Sequence, residues 1–312
     1  MKLPEICLGT AAIAGIIESC SEDEAHSVLN HAWKSGIRFY DTAPHYGHGL
    51  AERRVGDFLR DKNSDTYILS TKVGRLLSPD SSVKGTINSF VDPLPFLQKR
   101  DYSYDGIMRS VEDSFQRLGL AKIDILYVHD LGSFSLGDQS EFYFDQFITS
   151  GYRALEELKN SKVIKSFGLG VNETAVCIDV IQRCDLDIIL LAGRYTFLDR
   201  SAADTFLPLC TEKNIDVVVG ATFNSGILVT GAKAGALYNY KPASDEILNR
   251  VNALEEQCAK FHIPLPAAAI NFPLRHNQVK SVITGPGKLA HLKQNLELLS
   301  TPISEEFWNQ IN

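Results

Sequence analysis

A (β/α)8 barrel is the fold this sequence predicts, and three observations predict it. Short apolar runs alternate with longer amphipathic stretches from one end to the other, the pattern of repeated βα units. Eight units spread over 312 residues give about 39 residues each, the length a barrel with loop insertions needs. No G-x-G-x-x-G turn follows the first apolar run, as an open doubly wound sheet usually requires, and no Pro/Gly/Ser-rich linker divides the chain. A single barrel domain over residues 1–312 is therefore expected.

The first strand is expected at residues 6–8, entering a loop at Gly9 and Thr10. Residues 22–34 read as the first helix, because Ser21 and Glu24 form a capping box and Gly36 stands where the helix should stop. Strand 37–40, helix 52–60 and strand 67–70 follow. Helix 105–118 is closed by Gly119, and strand 123–128 leads to helix 151–160. The second half repeats the pattern, with strands at 166–169, 187–191, 216–219 and 279–283 and helices at 174–183, 202–213, 246–260 and 289–299. Two connections are long, residues 75–103 and 130–148. Loops of that length in a barrel belong to the catalytic face and should border a substrate.

Composition narrows the function. With 44% apolar and 22% charged residues the chain is neither disordered nor a disulfide scaffold. The 31 Lys and Arg against 38 Asp and Glu leave a net charge of −7 with no basic stripe, which argues against nucleic acid or an anionic membrane as partner. A small molecule is the expected ligand, and the oligomeric state is not written in the sequence. Six scattered cysteines lack C-x-x-C or zinc spacing and read as reduced, mostly buried thiols, with Cys177 and Cys184 as core packing. Lys2 and residues 6–17 imitate a short secretory signal, but Pro4, Glu5, Gly9, Thr10 and Gly15 spoil it. No run is long enough for a membrane span, so a cytoplasmic location is expected.

Barrel chemistry gathers at the C-terminal ends of strands. Asp41 ends the second, with Tyr46 in the loop after it; Lys72 ends the third and His129 the fourth. Each alone has an ordinary structural role, as turn former, loop aromatic, solvated charge or strand-end imidazole. Together they suit proton transfer: a nearby ammonium favours the phenolate, so Lys72 lowers the Tyr46 pKa, Asp41 holds Lys72, and His129 aligns a substrate oxygen. His45, Phe90, Tyr102 and Phe134 are candidates for the substrate. The pair His45 and His48 has metal spacing, but no nearby carboxylate or cysteine set completes a shell, and no metal is expected.

Asp-x4-Tyr, then Ser70-Thr71-Lys72, then His129 resemble the tetrad of the aldo-keto reductases, nicotinamide-dependent (β/α)8 enzymes. The likeness runs through nearly the whole chain. The segments 70–77, 191–196, 223–226 and 265–269 resemble a branch of sugar 1-dehydrogenases of the L-fucose and L-galactose type that also holds a pyridoxal dehydrogenase.

The resemblance implies NAD-dependent oxidation of an aldose C1 hydroxyl to the lactone, with Tyr46 as acid and base. Oxidation of pyridoxal, NADPH-dependent reduction of aldehydes, and a non-enzymatic cofactor-sensing subunit are the alternatives. It also implies the cofactor contacts: Asn172 at the carboxamide, Phe223 against the nicotinamide, backbone N–H groups of Asn224, Ser225 and Gly226 at the pyrophosphate, and Gly285, His291, Gln294 and Asn295 toward the adenosine. Members that prefer NADP carry a Lys and an Arg where this chain has Gly285 and His291. A glycine carries no charge and an imidazole is mostly neutral at pH 7, so NAD is expected over NADP.

Overall fold

Each of the eight apolar runs forms a strand in the computed structural model, which describes residues 1–311. They are β1 (Ile6–Gly9), β2 (Phe39–Asp41), β3 (Ile68–Val73), β4 (Ile125–His129), β5 (Ser166–Val171), β6 (Ile188–Ala192), β7 (Asp216–Gly220) and β8 (Val279–Thr284). All pair in parallel, each with its sequence neighbours, and β1 pairs with β8 to close the barrel. The outer layer is α1 (Glu22–Lys34), α2 (Leu50–Leu59), α3 (Tyr104–Leu118), α4 (Tyr152–Asn160), α5 (Ala175–Ile181), α6 (Phe206–Glu212), α7 (Leu265–Asn271) and α8 (Leu289–Leu299). The capping box at Ser21 and Glu24 and the left-handed Gly119 after α3 stand as the sequence predicts.

The strand period of two sorts the side chains. Cys7, Phe39, Ile125, Tyr127, Leu190 and Val218 fill the inside of the barrel. Tyr40, Leu69, Val73, Leu126 and Val128 face outward into the larger core under the helices. Stepping two residues from Phe39 reaches Asp41, and stepping two from Tyr127 reaches His129. The alternation that packs the barrel thus delivers polar groups to its inner rim.

Three features depart from the sequence reading. The helix at Asp245–Lys260 exists, but it buries only Val251 and Cys258. The layer against the strands is completed instead by α7, in which Leu265, Ala267, Ala268, Ala269 and Ile270 are all buried. A further helix, Glu305–Ile311, was not predicted; its Phe307 and Trp308 pack on Phe197, Phe261 and Phe272. The segment 75–103 is not structureless: Arg75–Pro79 pairs with Phe96–Arg100 as an antiparallel ribbon whose tip pairs Thr86–Ile87 with Phe90–Val91. Short helices at Ser133–Leu136 and Ser140–Gln146 occupy the other long connection. No helix among the described residues is long and apolar enough to cross a membrane.

Candidate active site

Asp41, Tyr46, Lys72 and His129 line one cavity of about 550 Å³ at the C-terminal end of the barrel. Lys72 is buried and donates from Nζ to Asp41 Oδ2 at 2.6 Å and to the Thr42 carbonyl at 3.0 Å. The other Asp41 oxygen accepts from Ser70 Oγ at 2.8 Å. Room for the lysine depends on Gly170 of β5, where a Cβ would stand 3.5 Å from Lys72 Cε and 3.1 Å from Tyr127 Cβ. The ammonium lies 4.7 Å from the centre of the Tyr46 ring, and that ring meets His129 edge-on at 5.9 Å.

Electrostatics follow from burial. Desolvation pulls the Lys72 ammonium down, but the Asp41 carboxylate and the Tyr46 phenol outweigh it and hold its pKa above the ordinary value. Burial pushes the Tyr46 phenol up to about 12, while Lys72 pulls it back. The expectation that the ammonium brings this phenol below its usual value is therefore corrected: its pull is present, and burial is larger. Burial also holds His129 well below the ordinary imidazole range, so it is neutral at pH 7. Among the described residues its Nδ1 has no hydrogen-bond partner, while Nε2 stands 3.7 Å from Asp130. A proton on Nε2 leaves that nitrogen as donor.

From this rim the cavity runs past Asn172, Phe223, Asn224, Ser225 and Gly226 to Gly285 and Asn295. Its volume lies within the usual range for ligand and cofactor sites, roughly 300–1,000 Å³. Its glycines suit a close-lying ligand: a Cβ on Gly226 would meet nothing within 4 Å, and its φ of +93° favours glycine besides. Ala221, Asn224 and Ser225 are also left-handed, so the loop after β7 winds tightly around the cavity. The residues present fit a nicotinamide dinucleotide, with an aromatic face at Phe223, side-chain amides at Asn172 and Asn295, and backbone close to the void.

Several sequence-predicted contacts stand elsewhere. The Asn224 side chain is turned into the protein, accepting from Thr196 Oγ1 at 2.6 Å and donating to the Gly193 carbonyl at 3.3 Å. Its own N–H and that of Gly226 close turns onto Ala221 and Phe223, which among the described residues leaves Ser225 as the one of the three whose N–H has no backbone acceptor. Asn295 bonds Thr284 Oγ1 at 2.8 Å beside the cavity, whereas His291 and Gln294 are exposed and do not line it. Phe90, Phe134 and His45 line the cavity. Tyr102 does not. It is fully buried and donates to the His129 carbonyl at 2.6 Å, a pin beneath the strand end rather than a substrate contact. His45 and His48 bond Gln98 and the Phe96 carbonyl through Nδ1.

Two cavity walls are tied together. Ile16 bridges Phe90, and the Ile17 N–H donates to the Ser89 carbonyl at 2.7 Å. Ile17 is left-handed, with φ +69° and 67% exposure, an uncommon state for a β-branched residue. The sequence reading missed Asp130, which lines the cavity and pairs with Arg75. Its place directly after His129 was the available signal.

The chain is 41% identical to pyridoxal 4-dehydrogenase from Microbacterium luteolum, over 97% of this chain and 92% of that protein. It is 37% identical to D-threo-aldose 1-dehydrogenase from a Pseudomonas species, over 100% of this chain and 94% of that protein. In fold it matches the solved structure of an aldo-keto reductase from Bacillus halodurans with a TM-score of 0.73 at 24% identity, covering 98% of this chain and 90% of that one. The family model described as the Aldo/keto reductase family matches residues 5–312. This chain, a closed parallel barrel with a buried lysine–aspartate pair beneath a tyrosine, belongs to the aldo/keto reductase family of nicotinamide-dependent oxidoreductases.

Proposed function

We propose that this enzyme oxidises the hemiacetal C1 hydroxyl of an aldopyranose to the lactone, using NAD. The observation that carries the reading is the Lys72 ammonium, fixed by Asp41 and set against Tyr46 inside the same cavity as His129. Tyr46 Oη takes the hydroxyl proton, and Lys72 stabilises the phenolate that this step requires. The neutral His129 donates from Nε2 to the substrate oxygen and aligns it. A bound nicotinamide dinucleotide supplies the two-electron acceptor. Asn172, Phe223, Ser225, Gly226, Gly285 and Asn295 would hold it, and run in reverse the same groups protonate a carbonyl oxygen.

The choice of NAD is supported by an exposed ion pair three residues beyond Gly285, outside the cavity lining. Lys288, the cation best placed to replace a missing Lys or Arg, donates to Glu18 at 2.7 Å. A 2′-phosphate there would meet a lysine already neutralised and a carboxylate beside it. A second reading, oxidation of the cyclic hemiacetal of pyridoxal, draws support from the aromatic rings of Phe90, Phe134 and Tyr240 in the lining and from the pyridoxal 4-dehydrogenase relative.

The test is cofactor reduction with L-fucose, D-arabinose, L-galactose and pyridoxal, with NAD and NADP in parallel and the lactone identified. Lactone from a sugar supports the first reading and lactone from pyridoxal alone the second. No oxidation of any of them, with NADPH-dependent reduction of simple aldehydes instead, overturns both.

A further inference from the structure

Behind the substrate end of the cavity runs a hydrogen-bond chain. Arg75 Nη2 donates to Asp130 Oδ2 at 2.5 Å, and Arg75 Nη1 donates to Gln98 Oε1 at 3.1 Å. The same Gln98 oxygen lies 2.8 Å from His45 Nδ1. A guanidinium only donates, so it fixes the Gln98 amide with its oxygen toward Arg75. His45 must then donate from Nδ1, which leaves Nε2 with a lone pair. Burial keeps this imidazole neutral, its pKa lowered to about 4. The consequence is a cavity end furnished with two acceptors. Asp130 and His45 both line it, while Arg75 and Gln98 stand behind and do not. Asp130 Oδ1 has no protein partner among the described residues and is not among the sealed polar atoms, so it is open to the cavity.

We propose that Asp130 and His45 Nε2 form an acceptor-only subsite that binds hydroxyl groups of a neutral polyhydroxylated substrate and turns away its carboxylate- or phosphate-bearing analogues. The inference rests on the oxidation reading above and narrows its substrate class. A carboxylate and an imidazole lone pair each take an O–H, and neither offers a proton to an anion. The cations nearest them are already committed, Arg75 to Asp130 from behind and Lys72 to Asp41. An anionic substituent would therefore face Asp130 without a counter-charge in a partly desolvated space. Asp130 also stands 3.7 Å from His129 Nε2, where it favours a proton on that nitrogen, so one carboxylate both receives a substrate hydroxyl and keeps the neighbouring donor in its working tautomer.

The experiment compares L-galactose with L-galacturonate in wild type, Asp130→Asn and His45→Phe, by steady-state kinetics at saturating cofactor and by saturation-transfer NMR for binding. Wild type should favour the neutral sugar by about 100-fold in kcat/KM, and Asp130→Asn should narrow that ratio about tenfold, mainly by raising KM for the sugar. His45→Phe keeps the Arg75–Asp130 pair, so its KM for the sugar should also rise about fivefold without the risk of an unpaired buried guanidinium. Equal use of the uronate by wild type, or an unchanged sugar KM in both variants, overturns the subsite. If no sugar is oxidised, the oxidation reading falls on its own. The NMR then decides the subsite: selective binding of the neutral sugar by wild type and its loss in both variants supports it, and equal binding of the two sugars overturns it.

Discussion

The Lys72 ammonium is held 2.6 Å from Asp41 and 4.7 Å from the centre of the Tyr46 ring, so one buried cation answers both a carboxylate and a phenol. Its position is set from three strands at once: it grows from β3, is fixed by the end of β2, and passes the bare Gly170 of β5.

Tyr46→Phe removes the proton-transfer oxygen and little else. We expect kcat to fall by about 10²- to 10⁴-fold while cofactor affinity stays within a factor of about two. Stopped-flow turnover together with fluorescence titration of NADH checks both halves, and full activity in the variant would sink the assignment.

Oxidation needs the phenolate, and Tyr46 is pushed up to about 12 with Lys72 pulling it back. Oxidation rates should therefore rise from pH 7 toward pH 10, since more of the phenol is ionised as pH increases. Lys72→Met keeps the stem and removes the charge, so the rising limb should move to still higher pH. An identical pH profile in the variant would refute the coupling.

Tyr102→Phe deletes the bond to the His129 carbonyl and should cost about 1 kcal/mol of stability, read as a lower denaturation midpoint. A substrate contact would instead raise KM with the midpoint unmoved. The two patterns are separable on the same preparation.

NAD should be preferred over NADP by more than about a hundredfold in kcat/KM, the loss expected when two charged hydrogen bonds to a phosphate are absent. Glu18→Gln releases Lys288 and should narrow that gap, by about tenfold or less because the pair is exposed. Comparable efficiency with both cofactors in the wild type would show that another cation reaches the phosphate.

Much of the barrel was legible because most strands are short apolar runs, and two of them lead straight into a polar residue, as in Phe39-Tyr40-Asp41 and Tyr127-Val128-His129. What hid the rest has physical causes. α7 is apolar on nearly every side, so Leu265-Pro266-Ala267-Ala268-Ala269 shows no helical stripe, and the amphipathic helix before it took its place in the reading. The ribbon 75–103 pairs short strands interrupted by Pro79, Gly85 and Pro95, which weakens the alternation. Tyr102 and Asp130 act through their contacts with the backbone of His129 and with Arg75, and no spacing announces such partners. The Asn224 backbone N–H, expected to face a pyrophosphate, closes a turn onto the Ala221 carbonyl, and its side chain accepts from Thr196; neither partner is announced by spacing.

The ties from Ile16 to Phe90 and from Ile17 to Ser89 join the loop that leaves β1 to the tip of the ribbon that covers the substrate end. Neither wall can swing aside without dragging the other. Departure of whatever lies beneath one wall is thus mechanically linked to the occupancy of the other, and the release rates of the two products should not be independent. Replacing Ile17 with proline, which has no N–H to give Ser89 and cannot take up a left-handed backbone, cuts the tie, loosens both exits together and should show as a faster turnover wherever release limits the cycle.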